Sequence, residues 1–258
     1  MPTFYPSVSP DFMAWCAKQK VFWTASAPLR GDHINVSPKA LLSSAFTFLG
    51  PNSAAYVDLT GSGVETIAHL KENGRITIMF NSFDAGPRVL RLFCKGRVVE
   101  KGADKFDEWL DRFGEDAEEK FKAVRSVIVL DIFKVQTSCG FGVPLLSMSA
   151  GDDETPPKPC LIDRPTILKM GAHAVSAGKL AEFQATYNGY SLDGLPGLSS
   201  AAAARRSKAG AVWYAATAAA QAWAPPRDVC VLLAGVVLGV AATVAAVTSG
   251  RWVPVQAL

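Results

Sequence analysis

The sequence predicts a mainly β fold with added helices, an α+β chain built around a small antiparallel barrel. Three observations predict it. Short β-branched and aromatic runs follow one another through Gly, Pro and Asn turns, so the strands come as hairpins rather than as βαβ units. One well-marked helix, 62–74, is inserted between two strands. The run VRSVIVLDIFKVQT (Val124 to Thr137) is the most strongly β-branched of the chain and reads as a central strand.

The elements follow in order. Ser9-Pro10-Asp11 supplies an N-cap, a proline at the first position and an acid in the first turn, and Phe12, Trp15 and Cys16 then share a helical face. Val21 to Ala27 is a strand, Pro28 to Asp32 a turn, and His33 to Ala40 a second strand that Pro38 confines to an edge or a bulge. Ala45 to Leu49 and Ala54 to Leu59 extend the sheet around Gly50-Pro51-Asn52. The inserted helix has Ser62 and Glu65 spaced as a capping box, Ile67 and Leu70 on its core face, and Asn73-Gly74 as its left-handed stop. Arg75 to Phe83 alternates as a strand, Ala85-Gly86-Pro87 turns, and Arg88 to Glu100 is a long strand. Ala103 to Phe113 is amphipathic, with Phe106, Trp109, Leu110 and Phe113 on one side. Residues 147–160 read as a flexible connector, Pro165 to Asn188 as helix interrupted near Gly171 and Gly178, and Ser191 to Leu198 as a turn-rich closure.

Composition sets outer limits. The chain has 258 residues, room for one ordinary domain and an appendage, and a net charge of +3, too small to argue for a nucleic-acid partner. Five scattered cysteines without a CxxC pair read as reduced thiols, and three histidines remote from them argue against a structural metal. The start of the chain lacks the basic and apolar regions of a secretory signal. From Val229 to Gly250 the sequence carries no charge, and at roughly 1.5 Å per residue a helix there is about 30 Å long, enough to cross a bilayer. Arg205, Arg206, Lys208 and Arg227 lie on its N-terminal side, a bias that keeps the larger part of the chain cytoplasmic. A buried alanine-rich helix or a tail docked on its own domain is the alternative. The expected organisation is a barrel domain over 1–146, a connector and helical extension over 147–200, an alanine-rich stalk over 201–228 and a membrane span over 229–250.

Chemistry concentrates at one turn. Thr60, Gly61, Ser62 and Gly63 lie between a strand and a helix start, where free N–H groups and the helix dipole favour an anion, and Ser62 and Thr66 add hydroxyls. A tight turn in which Ser62 only caps its helix explains the same residues. Ser37-Pro38-Lys39 offers a lysine for phosphate or a solvated surface charge. Arg88, Arg91 and Arg97, with Lys95, form a basic strand; Arg91, Lys95 and Arg97 share parity. His69 is either packed or functional. There is no GxSxG, no HExxH and no complete dinucleotide fingerprint.

VFWTASAPLRGDHINVSPKA, followed by YVDLTGSGVETIAHLKENGRITIMF and RVLRLFCKGRVV, resembles the pyridoxamine 5′-phosphate oxidase-like, flavin-binding split-barrel family over residues 10–145. SCGFGVPL and SLDGLPGL resemble closing motifs of the subgroup that carries DLTGSGxETxxHLxENGRI. The resemblance implies a six-stranded antiparallel split barrel with flanking helices that forms a homodimer and binds FMN at the subunit interface. By position it implies that Ser37 and Lys39 approach the flavin phosphate and ring, and that Ser62, Gly63 and Thr66, within the turn begun by Thr60 and Gly61, meet the phosphate. Arg75 matches the start of the next strand, and Arg88 and Arg91 the strand that lines the flavin pocket. The chain departs from the family's oxidases at the helix start, where Val64, Glu65 and Thr66 stand in place of basic residues. The arginine and histidine pattern that grips the vitamin substrate is also missing. The expectation is therefore a membrane-tethered, FMN-dependent oxidoreductase of unknown substrate, or a non-catalytic split-barrel module that binds a flavin or another ligand. Deazaflavin and haem are the alternative cofactors, because relatives of this fold bind them.

Overall fold

The computed structural model describes residues 2–151 and 156–199. The chain divides into two compact units, Met1–Met170 and Gly171–Leu258. The first contains β1 (Thr3–Tyr5), α1 (Pro10–Ala17), β2 (Phe22–Ser26), β3 (Asn35–Lys39), α2 (Leu42–Ala45), β4 (Phe46–Gly50) and β5 (Ser53–Leu59). It continues with α3 (Glu65–Asn73), β6 (Arg75–Asn81), β7 (Arg88–Glu100), α4 (Phe106–Leu110), a 3₁₀ turn (Asp111–Phe113), α5 (Ala117–Lys120) and β8 (Val124–Cys139). β9 (Leu145–Met148) and β10 (Pro159–Ile162) form a separate hairpin, before α6 (Thr166–Ser176) and α7 (Leu180–Tyr187). The expected stalk, 201–228, and span, 229–250, lie outside the described residues; among the described residues no helix is long and apolar enough to cross a membrane.

The fold is mainly β with α, and every pairing in the main sheet is antiparallel, as the hairpin spacing predicts. The sheet holds eight strands rather than six, in the order β3-β2-β6-β7-β8-β5-β4 with β1 beside β8, and the path is open, with β3 and β4 at its ends. β1 escapes a sequence reading because three residues show no period. It takes up the edge of β8 at Val135 to Thr137, beyond Asp131, where β5 stops pairing. Pro38 lies on β3, an end of the sheet, where a missing N–H leaves no ladder gap.

β5 and β8 read as near-continuous apolar runs because both of their faces are covered. Ala54, Tyr56, Ile128 and Leu130 face a core shared with Phe22, Phe46, Ile78, Phe80, Leu90 and Leu92. The alternate residues Ala55, Val57, Val127 and Val129 face a second cluster with Phe106, Leu110, Phe113 and Phe121. Ile67 and Leu70 of α3 pack on the first core. Gly96 of β7 makes room for Leu70: a β-carbon there would sit 2.8 Å from Leu70 Cδ2 and 3.0 Å from Ile76 Cγ2.

Four boundaries differ from expectation. α3 begins at Glu65, its N-cap is Val64, and no side chain caps it, so the Ser62–Glu65 capping box does not form. Its other end is as expected, with Gly74 at φ +71° and its N–H donating to Leu70 O at 3.0 Å. The helix expected over 103–113 is cut to α4 and a 3₁₀ turn, with Lys105 at φ 66° ahead of it. The connector at 147–160 is flanked by β9 and β10, which pair Leu145 with Ile162 through Met148 with Pro159. Gly171 lies inside α6, whereas Gly178, at φ +65°, does mark a break.

Candidate functional site

The site begins with a carboxylate inside a strand. Asp58 alternates with Val57 and Leu59 on β5, shares the inner face with Tyr56, and its side chain is 1 % exposed. A charge so placed must be paired and hydrogen-bonded. Two strands answer it: Lys39 Nζ donates to Oδ1 at 3.1 Å, and Arg125 Nε donates to Oδ2 at 2.7 Å. Ser126 Oγ adds a contact to Oδ2 at 3.5 Å. Lys39 comes from the edge strand β3, five steps from β5 along the hydrogen-bonded order, so the sheet coils until its ends face each other.

Arg125 also reaches the glycine turn, donating from Nη1 to Gly63 O at 2.7 Å. β3 is tied to α3 through its own side chains: Ser37 Oγ donates to Asn35 Oδ1 at 3.0 Å, and Asn35 Nδ2 donates to Thr66 Oγ1 at 3.0 Å. Between these ties lies a cavity of about 190 Å³. Ser37 and Lys39 line it from β3, Gly61, Ser62 and Gly63 from the turn, Glu65 and Thr66 from α3, and Leu59 and Arg125 from β5 and β8. The side chains of Lys39 and Arg125 are about a quarter exposed (25 % and 24 %), so neither charge is fully desolvated. The start of α3, without a side-chain cap, closes one side, and its first-turn N–H groups add partial positive charge. Behind the wall, Thr24, register partner of Ser37, and Tyr56 carry buried hydroxyls with no hydrogen-bond partner. Burial, and then Asp58, push the Tyr56 hydroxyl well above its ordinary pKa, so it remains a protonated donor.

Six of the residues singled out in the sequence therefore meet: Ser37, Lys39, Gly61, Ser62, Gly63 and Thr66. Four lie elsewhere. Thr60 donates its N–H to Ala123 O at 2.8 Å and holds the turn without lining the cavity. Arg75 is fixed by Asn73 Oδ1 and Pro28 O and borders a more open cavity of about 200 Å³ beside Ser26 and Thr77. Arg88 stacks over Phe12 and Trp15, 5.9 and 5.5 Å from their ring centroids. Arg91 is half-buried against Ser138 Oγ, and desolvation lowers its pKa. Of their neighbours, Arg97 lies over the Trp109 ring at 4.8 Å. His69 is buried and bonded through Nδ1 to Ser26 Oγ at 2.9 Å, a satisfied core histidine. Sequence reasoning missed Arg125, hidden in a β-branched run, and Asp58. An acid inside the apolar run AAYVDL was the available signal, because it demands a cation on a neighbouring strand.

The arrangement suits an anion of phosphate size. Comparisons with known proteins point the same way as the sequence motifs. The family model for pyridoxamine 5′-phosphate oxidase matches residues 8–139. The pyridoxamine 5′-phosphate oxidase family protein ustO of Aspergillus flavus is 49 % identical over 215 residues, covering 83 % of this chain and 84 % of that protein. Among solved structures, HupZ of Group A Streptococcus is 15 % identical, covers 50 % of this chain and 91 % of its own, and has a TM-score of 0.40. A putative pyridoxamine 5′-phosphate oxidase from Lactobacillus delbrueckii is 18 % identical, with 51 % and 94 % covered and a TM-score of 0.39. An FMN-binding protein from Syntrophomonas wolfei is 18 % identical, with 44 % and 74 % covered and a TM-score of 0.33. The matched stretch contains strands β2 to β8 of the sheet, the glycine turn and both cations of the cavity, and the chain belongs to the pyridoxamine 5′-phosphate oxidase family.

Proposed function

We propose that this chain is a membrane-tethered, FMN-binding oxidoreductase that acts as a homodimer, its main domain cytoplasmic. The observation that carries the flavin reading is the meeting of Lys39 and Arg125 at the uncapped start of α3, in one cavity with two glycines. These residues fit a phosphate: the two side chains supply charge and directed N–H donors, Ser37 and Ser62 supply hydroxyls, and Gly61 and Gly63 let the group approach the backbone. Bound FMN would supply the electron-transfer chemistry. The chain's own part is to hold the phosphate, to place Lys39 on a rigid strand by its bond to Asp58, and to fix the turn through Arg125. The dimer reading is supported by the edge strand β3, where Ile34, just before it, is 74 % and Val36, on it, 61 % exposed. The proposed organisation keeps the boundaries read from sequence: a barrel domain over 1–146, an extension to 200, a stalk to 228 and a span over 229–250.

Glu65 favours a second reading, a non-catalytic module that retains a ligand without turnover, because it brings a negative charge to the cavity wall. A single purification separates these readings. The oxidoreductase is expected to be yellow, to be bleached anaerobically by a reduced nicotinamide or another donor, and to re-oxidise in air. Retention of flavin without bleaching by any donor supports the module. Colourless protein that ignores added FMN overturns the flavin assignment. Arg125→Ala and Lys39→Ala are each expected to weaken FMN retention by about tenfold or more, the scale of a lost charge-assisted hydrogen bond.

A further inference from the structure

Glu65 is the first residue of α3, and its carboxylate is folded back over the glycine turn. Oε2 lies so close to the α-carbon of Gly63 that a β-carbon at position 63 would collide with it. The carboxylate thus stands in the wall of the cavity that Lys39 and Arg125 line. Charges around the cavity then balance: Lys39 and Arg125 are positive, Asp58 and Glu65 negative. The two acids are not equivalent. Asp58 is buried and committed to both cations, whereas Glu65 is an exposed residue of the cavity wall. A carboxylate at a helix start satisfies the same dipole that would attract an outside anion. Glu65 occupies that position without any capping hydrogen bond from a side chain at residues 62–64 to compete with it.

We infer that Glu65 is the built-in anion of this cavity, admitted by the bare α-carbon of Gly63, and that it sets how strongly the site holds a phosphomonoester. The inference rests on the flavin-phosphate reading and adds the residue that tunes it. A phosphate dianion enters only as Glu65 swings outward. A flavin without phosphate does not meet this charge.

Two substitutions act on Glu65. Glu65→Gln keeps the shape and removes the charge; Glu65→Ala removes the charge and clears the side chain from the cavity wall. The purified full chain and both variants are titrated with FMN and with riboflavin, and their unfolding midpoints are followed in inorganic phosphate. Both variants are expected to bind FMN about tenfold more tightly than the unmodified chain, the scale of one charge removed from a half-open site, with riboflavin binding unchanged. Equal or weaker FMN binding in Glu65→Gln overturns the inference, as does an equal gain for riboflavin. If neither flavin binds any form while phosphate raises the midpoint of Glu65→Gln more than that of the unmodified chain, the flavin reading falls and the role of Glu65 stands. If phosphate stabilises neither form, both fall.

Discussion

Asp58 dictates its surroundings more than any other residue of the site. Fully desolvated, it draws Lys39 from one end of the sheet and Arg125 from the neighbouring strand, and these same cations border the cavity. Removing it leaves two partly buried cations without their counter-ion. Asp58→Ala is expected to destabilise the fold by about 2–4 kcal/mol, towards the lower part of the range for broken buried pairs because the cations are about a quarter exposed. The denaturant midpoint at unchanged slope measures it. Asp58→Asn, which keeps the shape, is expected to lose less and to gain more stabilisation from added phosphate than the unmodified chain, since the cavity then gains one positive charge. Lys39 and the TGSG turn were legible because their residue types name their chemistry. Arg125 was not, because the β-branched residues around it speak only of a strand; its role exists only once Asp58 stands opposite Ser126 in register.

α3 carries the turn and the cavity wall, so its seating decides the geometry of the site. At its middle, Leu70 packs into the space left by Gly96. Gly96→Ala places a β-carbon 2.8 Å from Leu70 Cδ2, and overpacking of this kind costs about 1–3 kcal/mol, with FMN or phosphate binding weakened as α3 is pushed off the sheet. Thermal unfolding together with a ligand titration checks both effects. At its end, Glu72 Oε2 accepts from the Leu29 N–H at 2.7 Å, and Asn73 Nδ2 donates to Ala27 O at 2.9 Å, so α3 anchors the turn between β2 and β3. The Leu29 amide, and next Asn73, hold the Glu72 carboxyl below its ordinary pKa. A depressed pKa stabilises the fold above the ordinary glutamate value, and that contribution is lost as pH falls through the lowered one. Hydrogen exchange at the Leu29 amide is therefore expected to quicken in acid relative to its neighbours, and Glu72→Gln is expected to abolish that pH dependence. Element ends show where sequence reading failed. Gly74 was legible because only glycine readily takes its positive φ, whereas the start of α3 was misplaced because Ser62 and Glu65 have the spacing of a capping box while Glu65 turns to Gly63 instead.

At the scale of the whole molecule, order along the chain was readable and closure was not. Hairpin spacing gave an antiparallel sheet, and the β-branched run from Val124 marked a central strand; the two cores on either side of β5 and β8 came from the structure. The eighth strand and the open path are long-range pairings that no local pattern encodes. The tether is a proposal of a different kind, resting on the length of one apolar run and its absence of charge. A helix over 229–250 would match the hydrocarbon thickness of a bilayer; basic residues precede this run, and Arg251 and Trp252, residue types that anchor a membrane interface, follow it. The full chain is expected in the membrane pellet, resistant to high salt and released by detergent. A chain ending at residue 199 is expected in the supernatant, with the same flavin spectrum, since every residue lining the cavity precedes that point. Salt-releasable binding of the full chain would instead assign the attachment to Arg205, Arg206 and Lys208 acting on an anionic surface, and the apolar run to contacts within protein. Placing Asp at Val237, near the middle of the run, separates these outcomes again: it weakens insertion of a span by about 2.5–3.5 kcal/mol and leaves a charge-held attachment intact.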